Sequence, residues 1–186
     1  SHAAALQLCG RAGGLIPSKV IEDVAGGDLE TIEGVGRKLM EKSDIRPEDV
    51  VVVISNSGRN PVPIEIAAFA GERGAKVIAV TALEVSQSAS SRHSSGKKLY
   101  QLADVVLDNR GMYGDAILQL EGMPAKVLGT SLITSAVLVD CMMEEAFEYM
   151  LSQGFRPPVY LSLNIDGGTE ANRVQVKQHA MRLYHK

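Results

Sequence analysis

One turn in the chain combines hydroxyl, amide and glycine residues at a spacing that suits an anion. Residues 55–60, Ser-Asn-Ser-Gly-Arg-Asn, follow an unbroken β-branched run, Val50–Ile54, and precede a helix that begins near Pro61. The β-branched run predicts a strand buried on both faces of a parallel sheet. Free backbone N–H groups at a helix start, and the positive end of its dipole, favour an anion there. Side-chain donors from Ser55, Ser57 and Asn60 would suit a phosphate; an ordinary loop with a well-capped helix is the alternative.

Further hydroxyl groups follow the next strand of the same predicted sheet. Thr81 ends the apolar run 76–81, and Ser86 and Ser88 lie in the loop after it. Because parallel strands end at one sheet edge, these hydroxyls would close round the same phosphate. A flexible serine-rich surface loop is the alternative interpretation. The predicted phosphate and sugar site comprises Ser55, Asn56, Ser57, Gly58, Asn60, Thr81, Ser86, Ser88, Thr130 and Ser131.

Residues able to transfer a proton are few. His93 lies among clustered polar residues and is the first candidate for a general acid or base. A solvated loop histidine is the alternative. Glu33 is the second candidate, with Glu84 and Glu170 as further carboxylates. The two histidines of the polar C-terminal segment, at positions 179 and 185, are six residues apart. That spacing is off the helical ligand spacing, so no metal site is predicted.

The alternation of apolar strands and helices predicts an α/β fold. Three βα-type units follow one another, which is typical of a doubly wound, three-layer αβα sandwich with a mostly parallel sheet. Residues 110–129 are glycine-rich and predicted to be irregular. The predicted strands are 15–21, 50–54, 76–81 and 104–108, and the predicted helices are 1–12, 29–42, 61–73, 131–153 and one from 169 onward.

Size and charge exclude several classes of protein. At 186 residues and 19.9 kDa, one domain is expected. A net charge of −3 and a pI near 5.8 argue against a nucleic-acid binder. Two cysteines, Cys9 and Cys141, are too few for a disulfide framework and predict reduced thiols in the cytoplasm. No run of apolar residues approaches the ~20 of a membrane span.

A resemblance to SIS (sugar isomerase) domains is carried by SNSGRNPVPIEIA, which matches their apolar strand, Ser-x-Ser-Gly-x-Thr/Asn turn and helix. Their second strand and hydroxyl loop resemble RGAKVIAVTALEVSQS, and the next strand resembles ADVVLDN. The whole chain, including SRHSSGKKLYQLADVVLDNRGMYGDA, is most similar to uncharacterised bacterial SIS-domain proteins labelled as phosphosugar (phosphoheptose-like) isomerases. A fainter similarity to the tail of N-acetylmuramic acid 6-phosphate etherases is carried by VYLSLNIDGGTEANR.

The resemblance implies one SIS-like domain over residues 1–186, whose first strand and glycine-rich turn would precede Ser1. It also implies a hydroxyl at Thr130 or Ser131 against the sugar phosphate; a plain helix N-cap is the alternative. Two departures concern the chemistry. Phosphoheptose isomerases use a glutamate of the first helix as base, whereas residues 1–13 contain no carboxylate. The etherases use two glutamates, at positions that match Arg11 and Gly36.

Together these features predict a cytoplasmic protein that binds a sugar phosphate and isomerises it between aldose and ketose forms, or performs a related proton transfer. His93 and Glu33 are the predicted catalytic residues, with no cofactor. A non-catalytic sugar-phosphate sensor and a lyase or etherase are the alternatives, and the missing first-helix glutamate favours the sensor. Helix 131–153 is apolar on most faces, which predicts a homodimer or larger homo-oligomer.

Overall fold

A computed structural model describes residues 2–5, 7–8, 12–16 and 27–180 of the chain. The described residues divide into two compact units. The first runs from residue 27 to residue 135, and the second comprises the residues up to 16 and those from 136 onward. The prediction of one domain over residues 1–186 stays a prediction.

A parallel sheet lies at the centre of the first unit. Its three strands, in the order β1-β2-β3, are β1 (Val50–Ile54), β2 (Lys76–Thr81) and β3 (Val105–Asp108). The register pairs Ile54 with Val80 and Thr81 with Asp108, so all three strands end at one edge. The α/β fold, the parallel pairing and the three strands are therefore confirmed.

Helices flank this sheet. The helices of the first unit are α2 (Val35–Glu41), α3 (Pro61–Glu72) and α4 (Leu83–Ser88). Helix α5 (Ser131–Ser152) has its first five residues in the first unit and the rest in the second. Helix α3 packs against β1, β2 and α2. Pro61 occupies its first position, where a missing N–H costs nothing, and Gly74 follows its end with φ at 80°. Both ends of α3 agree with the sequence pattern.

The core of the first unit lies between β2 and α3. Val77, Ala79 and Val80 of the central strand are buried, as are Ile64 and Phe69 of the helix. Strand β1 differs from its prediction, because only Val53 is buried and Val50 is 57% exposed. The prediction that this strand is buried on both faces is therefore wrong. Within the described sheet β1 is an edge strand.

Three other predictions of local structure are corrected. The helix expected over residues 29–42 is interrupted, because Gly34 has a left-handed φ of 89° and separates a 3₁₀ turn at Asp28–Thr31 from α2. Residues 110–129 are not wholly irregular. They contain an antiparallel pair, β4 (Ala116–Leu118) and β5 (Val127–Gly129). The loop after β2 begins with α4, which buries Ser86 completely.

The second unit has little regular structure besides its helices. Helix α1 (His2–Ala5) is shorter than the predicted helix 1–12, since Ala12 and Gly13 already lie in a turn. Leu15 forms a single antiparallel bridge with Val159, and residues 17–21 of the predicted strand lie outside the described residues. Helix α6 (Gly168–Gln178) confirms the predicted C-terminal helix. Among the described helices, none has the length and apolarity to cross a membrane.

A close helix contact in the first unit depends on one glycine. A Cβ atom added to Gly36 of α2 would lie 2.5 Å from the carbonyl oxygen of Val62 and 2.9 Å from Cβ of Glu65, both on α3. A side chain at this position would therefore push the two helices apart. Gly71 of α3, in contrast, has nothing within 4 Å of an added Cβ.

We expect Gly36→Ala to lower the free energy of unfolding by about 1–3 kcal/mol, the usual cost of overpacking. Gly71→Ala is the matched control, and should raise the free energy of unfolding by about 0.5–1 kcal/mol because alanine favours a helix. Urea unfolding followed by circular dichroism measures both. Equal stability of the two variants would contradict the close α2–α3 contact.

Candidate functional site

The turn of residues 55–60 lies at the edge of the sheet where the three strands end. Hydrogen bonds continue the strand pairing past the ends of the strands, from the Ser55 amide to the Val80 carbonyl and from the Ala82 amide to the Asn56 carbonyl. On the other side, the Asn109 amide donates to the Thr81 carbonyl. The turn is thus joined directly to the end of β2, and Asn109 holds the end of β3 against it.

Gly58 fixes the shape of this turn. Its φ is 56°, and an added Cβ would lie 2.8 Å from Ser86 Oγ and 3.0 Å from Thr81 Oγ1. Both the backbone angle and the lack of space require glycine. Ser55 Oγ accepts a hydrogen bond from the Gly58 amide at 3.3 Å, which closes the turn from inside. The Gly58 carbonyl accepts from the Leu99 amide at 2.9 Å.

Backbone donors of the turn are left without protein acceptors. In the part of the chain that is described, the amides of Ser57, Arg59 and Asn60 make no hydrogen bond. Free amides around a left-handed glycine form a concavity that binds anions. Helix α3 adds little beyond its dipole, because Pro61 and Pro63 have no N–H. The sequence placed the donors at the helix start, whereas the structure places them mainly in the turn.

Side chains of the turn divide into supporting and open groups. Ser55 is 4% exposed and lies beneath the turn. Asn56 Oδ1 accepts a hydrogen bond from Asn109 Nδ2 at 3.1 Å. Ser57 is half-buried, and within the described residues its hydroxyl is solvent-accessible with no partner. Asn60 does not cap α3; its Oδ1 instead accepts from Arg92 Nη1 at 3.2 Å. Ser57 is therefore the side chain of the turn best placed to meet a ligand.

The segment of residues 90–98, called here the basic loop, is bonded to this turn. The Arg92 amide donates to the Arg59 carbonyl at 2.8 Å, and Arg59 Nη2 donates to Ser90 Oγ at 3.2 Å. Ser91 Oγ accepts from the His93 amide and donates to the Lys97 carbonyl, which closes the loop on itself. His93 therefore follows Arg92, whose amide and side chain both contact the turn.

His93 faces a carboxylate that the sequence did not single out. Its Nε2 lies 3.6 Å from Glu65 Oε1, and the two side chains are only 17% and 11% exposed. Nδ1 accepts a hydrogen bond from the Ser95 amide at 3.1 Å and lies 2.7 Å from Ser95 Oγ, so the proton of the neutral ring is on Nε2. At 3.6 Å the Nε2 contact is an ion-pair distance, too long for a hydrogen bond. The imidazole can therefore give or take a proton at Nε2 while Ser95 holds the other nitrogen.

Glu65 also holds α2 in place. It lies on α3, one turn after Pro61, and its two oxygens accept hydrogen bonds from the amides of Gly34 and Arg37 at the start of α2. A carboxylate is favoured there because it meets free amides at the positive end of a helix. A single side chain thus joins α2, α3 and His93.

Glu33 holds the basic loop from the other side. Its carboxylate accepts hydrogen bonds from the amide and the hydroxyl of Ser94, the residue after His93. The hydroxyl bond, and then the amide bond, lower the pKa of Glu33 below its usual value near 4.5. The two predicted catalytic residues, Glu33 and His93, are thereby brought together, and Glu33 is ionised at neutral pH.

The other predicted hydroxyls occupy different places. Thr81 is fully buried, and its hydroxyl donates to the Asn56 carbonyl at 3.1 Å. Ser86 is fully buried beneath Gly58, with no hydrogen-bond partner for Oγ among the described residues. Ser88 is exposed and donates to the Val85 carbonyl of its own helix. The structure thus places Thr81 and Ser86 under the turn and leaves Ser88 outside it.

Thr130 and Ser131 meet a carboxylate at the start of α5. Their amides donate to Asp115 Oδ1 at 3.1 and 2.8 Å, and Ser131 Oγ donates to Asp115 Oδ2 at 2.8 Å. One turn further along α5, Ser135 accepts from Asn109 Nδ2 at 3.1 Å. Asn109 donates to Asn56 as well, so α5 is linked to the turn through Ser135.

Several residues of the site were missed by sequence reasoning. Arg59 and Arg92 were seen only as polar loop residues, although both flank the turn. Glu65 had a usable signal, since a lone carboxylate in the apolar start of a helix needs a partner when it is buried. Asn109 and Ser135 are only 3% and 1% exposed, but nothing in the sequence distinguishes them from other loop and helix residues.

Metal ligands are not clustered in the part of the chain that is described. No group of three or more His, Cys, Asp or Glu side chains there is arranged to hold a metal ion. Cys141 is a free, exposed thiol on α5, and Cys9 lies outside the described residues.

The chain is similar to a family model and to several known proteins. The family model of the SIS domain matches residues 1–82, which include the turn and β2. A UPF0309 protein of Listeria monocytogenes is 55% identical over 185 residues, covering 100% of this chain and 79% of its own length. UPF0309 proteins of Geobacillus kaustophilus and Halalkalibacterium halodurans are 40% and 38% identical, each over 98% of this chain and 76% and 77% of their own.

One solved structure, of a hypothetical protein, aligns with 60% of this chain and 52% of its own, at 26% identity and a TM-score of 0.37.

The Glu33–Ser94 contact makes a prediction about pH. Because the folded pKa of Glu33 is lowered, its ionised form stabilises the fold above pH 4.5, and that stability is lost as the pH falls through the folded pKa. Ser94→Ala should raise the pKa of Glu33 towards 4.5, measured by ¹³C NMR titration of its carboxyl group. Ser88→Ala is the control and should leave that titration unchanged. An unchanged curve in Ser94→Ala would rule out this contact.

Proposed function

Because the chain belongs to the UPF0309 family and matches the SIS domain model over residues 1–82, we propose that it binds a phosphorylated sugar at the turn of residues 55–60. A single observation carries this proposal. The amides of Ser57, Arg59 and Asn60 have no acceptor in the described part of the chain, and Gly58 holds them around a left-handed bend. Such a set of donors favours a phosphate group.

The phosphate would accept hydrogen bonds from these amides and from the hydroxyl of Ser57. Ser55, Asn56, Thr81 and Ser86 would shape the site from beneath, because they are buried or tied to neighbouring backbone. Thr130 and Ser131 are bonded to Asp115 at the start of α5, so we do not assign them to the phosphate site.

We further propose that His93 and Glu33 transfer the protons in an aldose–ketose isomerisation. Because the Ser95 amide donates to Nδ1, the neutral ring carries its proton on Nε2 and would give that proton to the carbonyl oxygen of the sugar. Glu33 would take the proton from the neighbouring carbon and return it to the former carbonyl carbon, while Nε2 recovers its proton from the other hydroxyl. Glu65 Oε1, 3.6 Å from Nε2, would keep the ring in this orientation. Glu33 is available for its step, since it is ionised and bonded to the neighbouring Ser94.

Two alternatives use the same phosphate site. An etherase reaction has less support, because the position that matches one etherase glutamate is Gly36, where a Cβ would already lie 2.5 Å from the Val62 carbonyl oxygen. A sugar-phosphate sensor would use the turn and leave His93 without a chemical role. Exchange of substrate protons with solvent separates the sensor from the isomerase.

Binding is tested by thermal shift with glucose 6-phosphate, fructose 6-phosphate and sedoheptulose 7-phosphate, followed by calorimetry. We expect a saturable rise in melting temperature with at least one of them. Ser57→Ala should then weaken binding by at least about tenfold, because a hydrogen bond to a charged group contributes roughly 1.5–3 kcal/mol. Ser88→Ala, which removes a hydroxyl outside the turn, should not. No shift with any of the sugars would refute the proposal.

Catalysis is tested by incubating the bound sugar phosphate in D₂O and following deuterium at C1 and C2 by NMR. An isomerase incorporates deuterium, and His93→Gln should slow incorporation by roughly 10²-fold or more, the usual contribution of a general acid or base. Binding without any incorporation of deuterium would instead support the sugar-phosphate sensor. Incorporation at the wild-type rate in His93→Gln would remove His93 from the reaction.

We also propose that the chain self-associates through α5. Ile133 and Val137 are 66% and 56% exposed on this helix, where a second copy would bury them. Light scattering at micromolar concentration should give about twice the chain mass of 19.9 kDa or more. Val137→Lys should lower that mass, whereas Lys177→Gln on α6 should not. A wild-type monomer would contradict this proposal.

A further inference from the structure

Three cations surround the turn without a carboxylate partner. In the described part of the first unit, Arg37, Arg46 and Arg110 each pair with an acidic side chain, and Arg73 lies over the ring of Phe69. Arg59, Arg92 and Lys98 have no acidic partner among the described residues. Lys42, Lys97 and Lys126 also lack an acidic partner there, and Lys98 lies over the ring of Tyr100. Among the described arginines of this unit, however, only Arg59 and Arg92 have neither an acidic partner nor an aromatic ring.

Arg59 gives the strongest sign of a missing anion. Its Nε is buried and has no hydrogen-bond partner among the described residues, and its only side-chain bond is from Nη2 to Ser90 Oγ. A buried donor of a charged group is costly to leave unpaired. Nothing in the described part of this chain compensates for that cost. Nη1 of the same guanidinium makes no hydrogen bond among the described residues and is open to solvent, where an anion can reach it.

Arg92 and Lys98 are held close to the turn by the same loop. Arg92 Nη1 donates to Asn60 Oδ1, and its amide donates to the Arg59 carbonyl. Lys98 Nζ donates to the carbonyls of Gln87 and Ala89, and the following residue, Leu99, is bonded to Gly58. Carbonyl oxygens satisfy donors but carry no full negative charge. All three charges therefore remain unbalanced beside the turn.

The carboxylates bound to the basic loop are engaged elsewhere. Glu33 accepts from Ser94, and Glu65 accepts from the amides of Gly34 and Arg37 and faces His93. Neither forms an ion pair with Arg59 or Arg92. The two carboxylates thus contact the loop at Ser94 and His93, whereas Arg92 contacts the turn.

One phosphate does not balance these charges. A phosphate monoester carries about −1.5 to −2 at neutral pH, which is less than three unit charges. The turn already offers this phosphate three amides and the Ser57 hydroxyl. The guanidinium groups are left for a second acidic group, which arginine binds through paired N–H donors.

We propose that Arg59 and Arg92 form a second anion subsite beside the phosphate turn, and that the ligand is a phosphorylated sugar bearing a further acidic group. This inference rests on the proposed phosphate site and narrows its substrate class. The second group is a carboxylate or a second phosphate, since both match a guanidinium.

Calorimetry on the full chain, with three matched open-chain probes, tests this. Glucitol 6-phosphate carries one phosphate, 6-phosphogluconate replaces a terminal CH₂OH by a carboxylate, and glucitol 1,6-bisphosphate adds a phosphate instead. We expect 6-phosphogluconate or the bisphosphate to bind at least tenfold more tightly than glucitol 6-phosphate. The preferred probe identifies the second group.

Arg92→Gln should reduce that preference to less than threefold, and Arg59→Gln should do the same. Arg46→Gln is the matched control: it removes an arginine just before β1, at the opposite edge of the sheet, and should keep the wild-type preference. Equal binding of all three probes, or an unchanged preference in Arg92→Gln, overturns the second subsite alone. Failure of every probe to bind overturns the phosphate site together with it.

Discussion

The close contact of Gly58 with the end of β2 is the constraint on which the candidate site depends. Thr81, Ser86 and Leu99 approach so near that no side chain fits, and the left-handed φ of 56° turns the following amides away from the sheet. Because the Gly58 and Arg59 carbonyls are taken by the amides of Leu99 and Arg92, the turn presents donors without competing acceptors. Ser55, Thr81 and Ser86 are buried beneath the turn, because their hydroxyls fill the narrow space there.

A second constraint links this turn to the proton-transfer residues. Helix α3 begins at the turn and carries Glu65 one turn later, and Glu65 meets both the start of α2 and His93. The basic loop runs from Arg92, bonded to the turn, to Ser94, bonded to Glu33. The proposed phosphate site and the proposed proton-transfer residues would therefore be joined by one set of contacts. In this set, α2, α3 and the basic loop together determine the position of His93.

Sequence patterns were sufficient where structure is determined locally. The β-branched runs gave β1 and β2, and Pro61 and Gly74 marked the ends of α3, because propensity and capping act over a few residues. The pairing of Glu65 with His93 spans 28 positions, and no local pattern encodes it. The sequence predicts Ser86 in a loop that closes round the phosphate, with a flexible surface loop as the alternative. The residue is instead fully buried in α4, because the space under Gly58 accepts only a small side chain. The break at Gly34 was overlooked because the apolar spacing of residues 29–40 continues through it.

The distribution of charge argues that the site is organised before a ligand arrives. The chain carries a net charge of −3, yet Arg59, Arg92 and Lys98 meet at the turn without an acidic partner. Their positions are fixed by Ser90, Asn60 and backbone carbonyls, so the positive field needs no rearrangement to meet an anion. Mutual repulsion of these cations opposes folding, and in the described chain it is offset by neutral oxygens and, for Lys98, by the ring of Tyr100. A surface under selection for stability alone would place a carboxylate among them, as it does beside Arg37 and Arg46. The lack of one beside Arg59 and Arg92 among the described residues agrees with the proposed binding of an anion there.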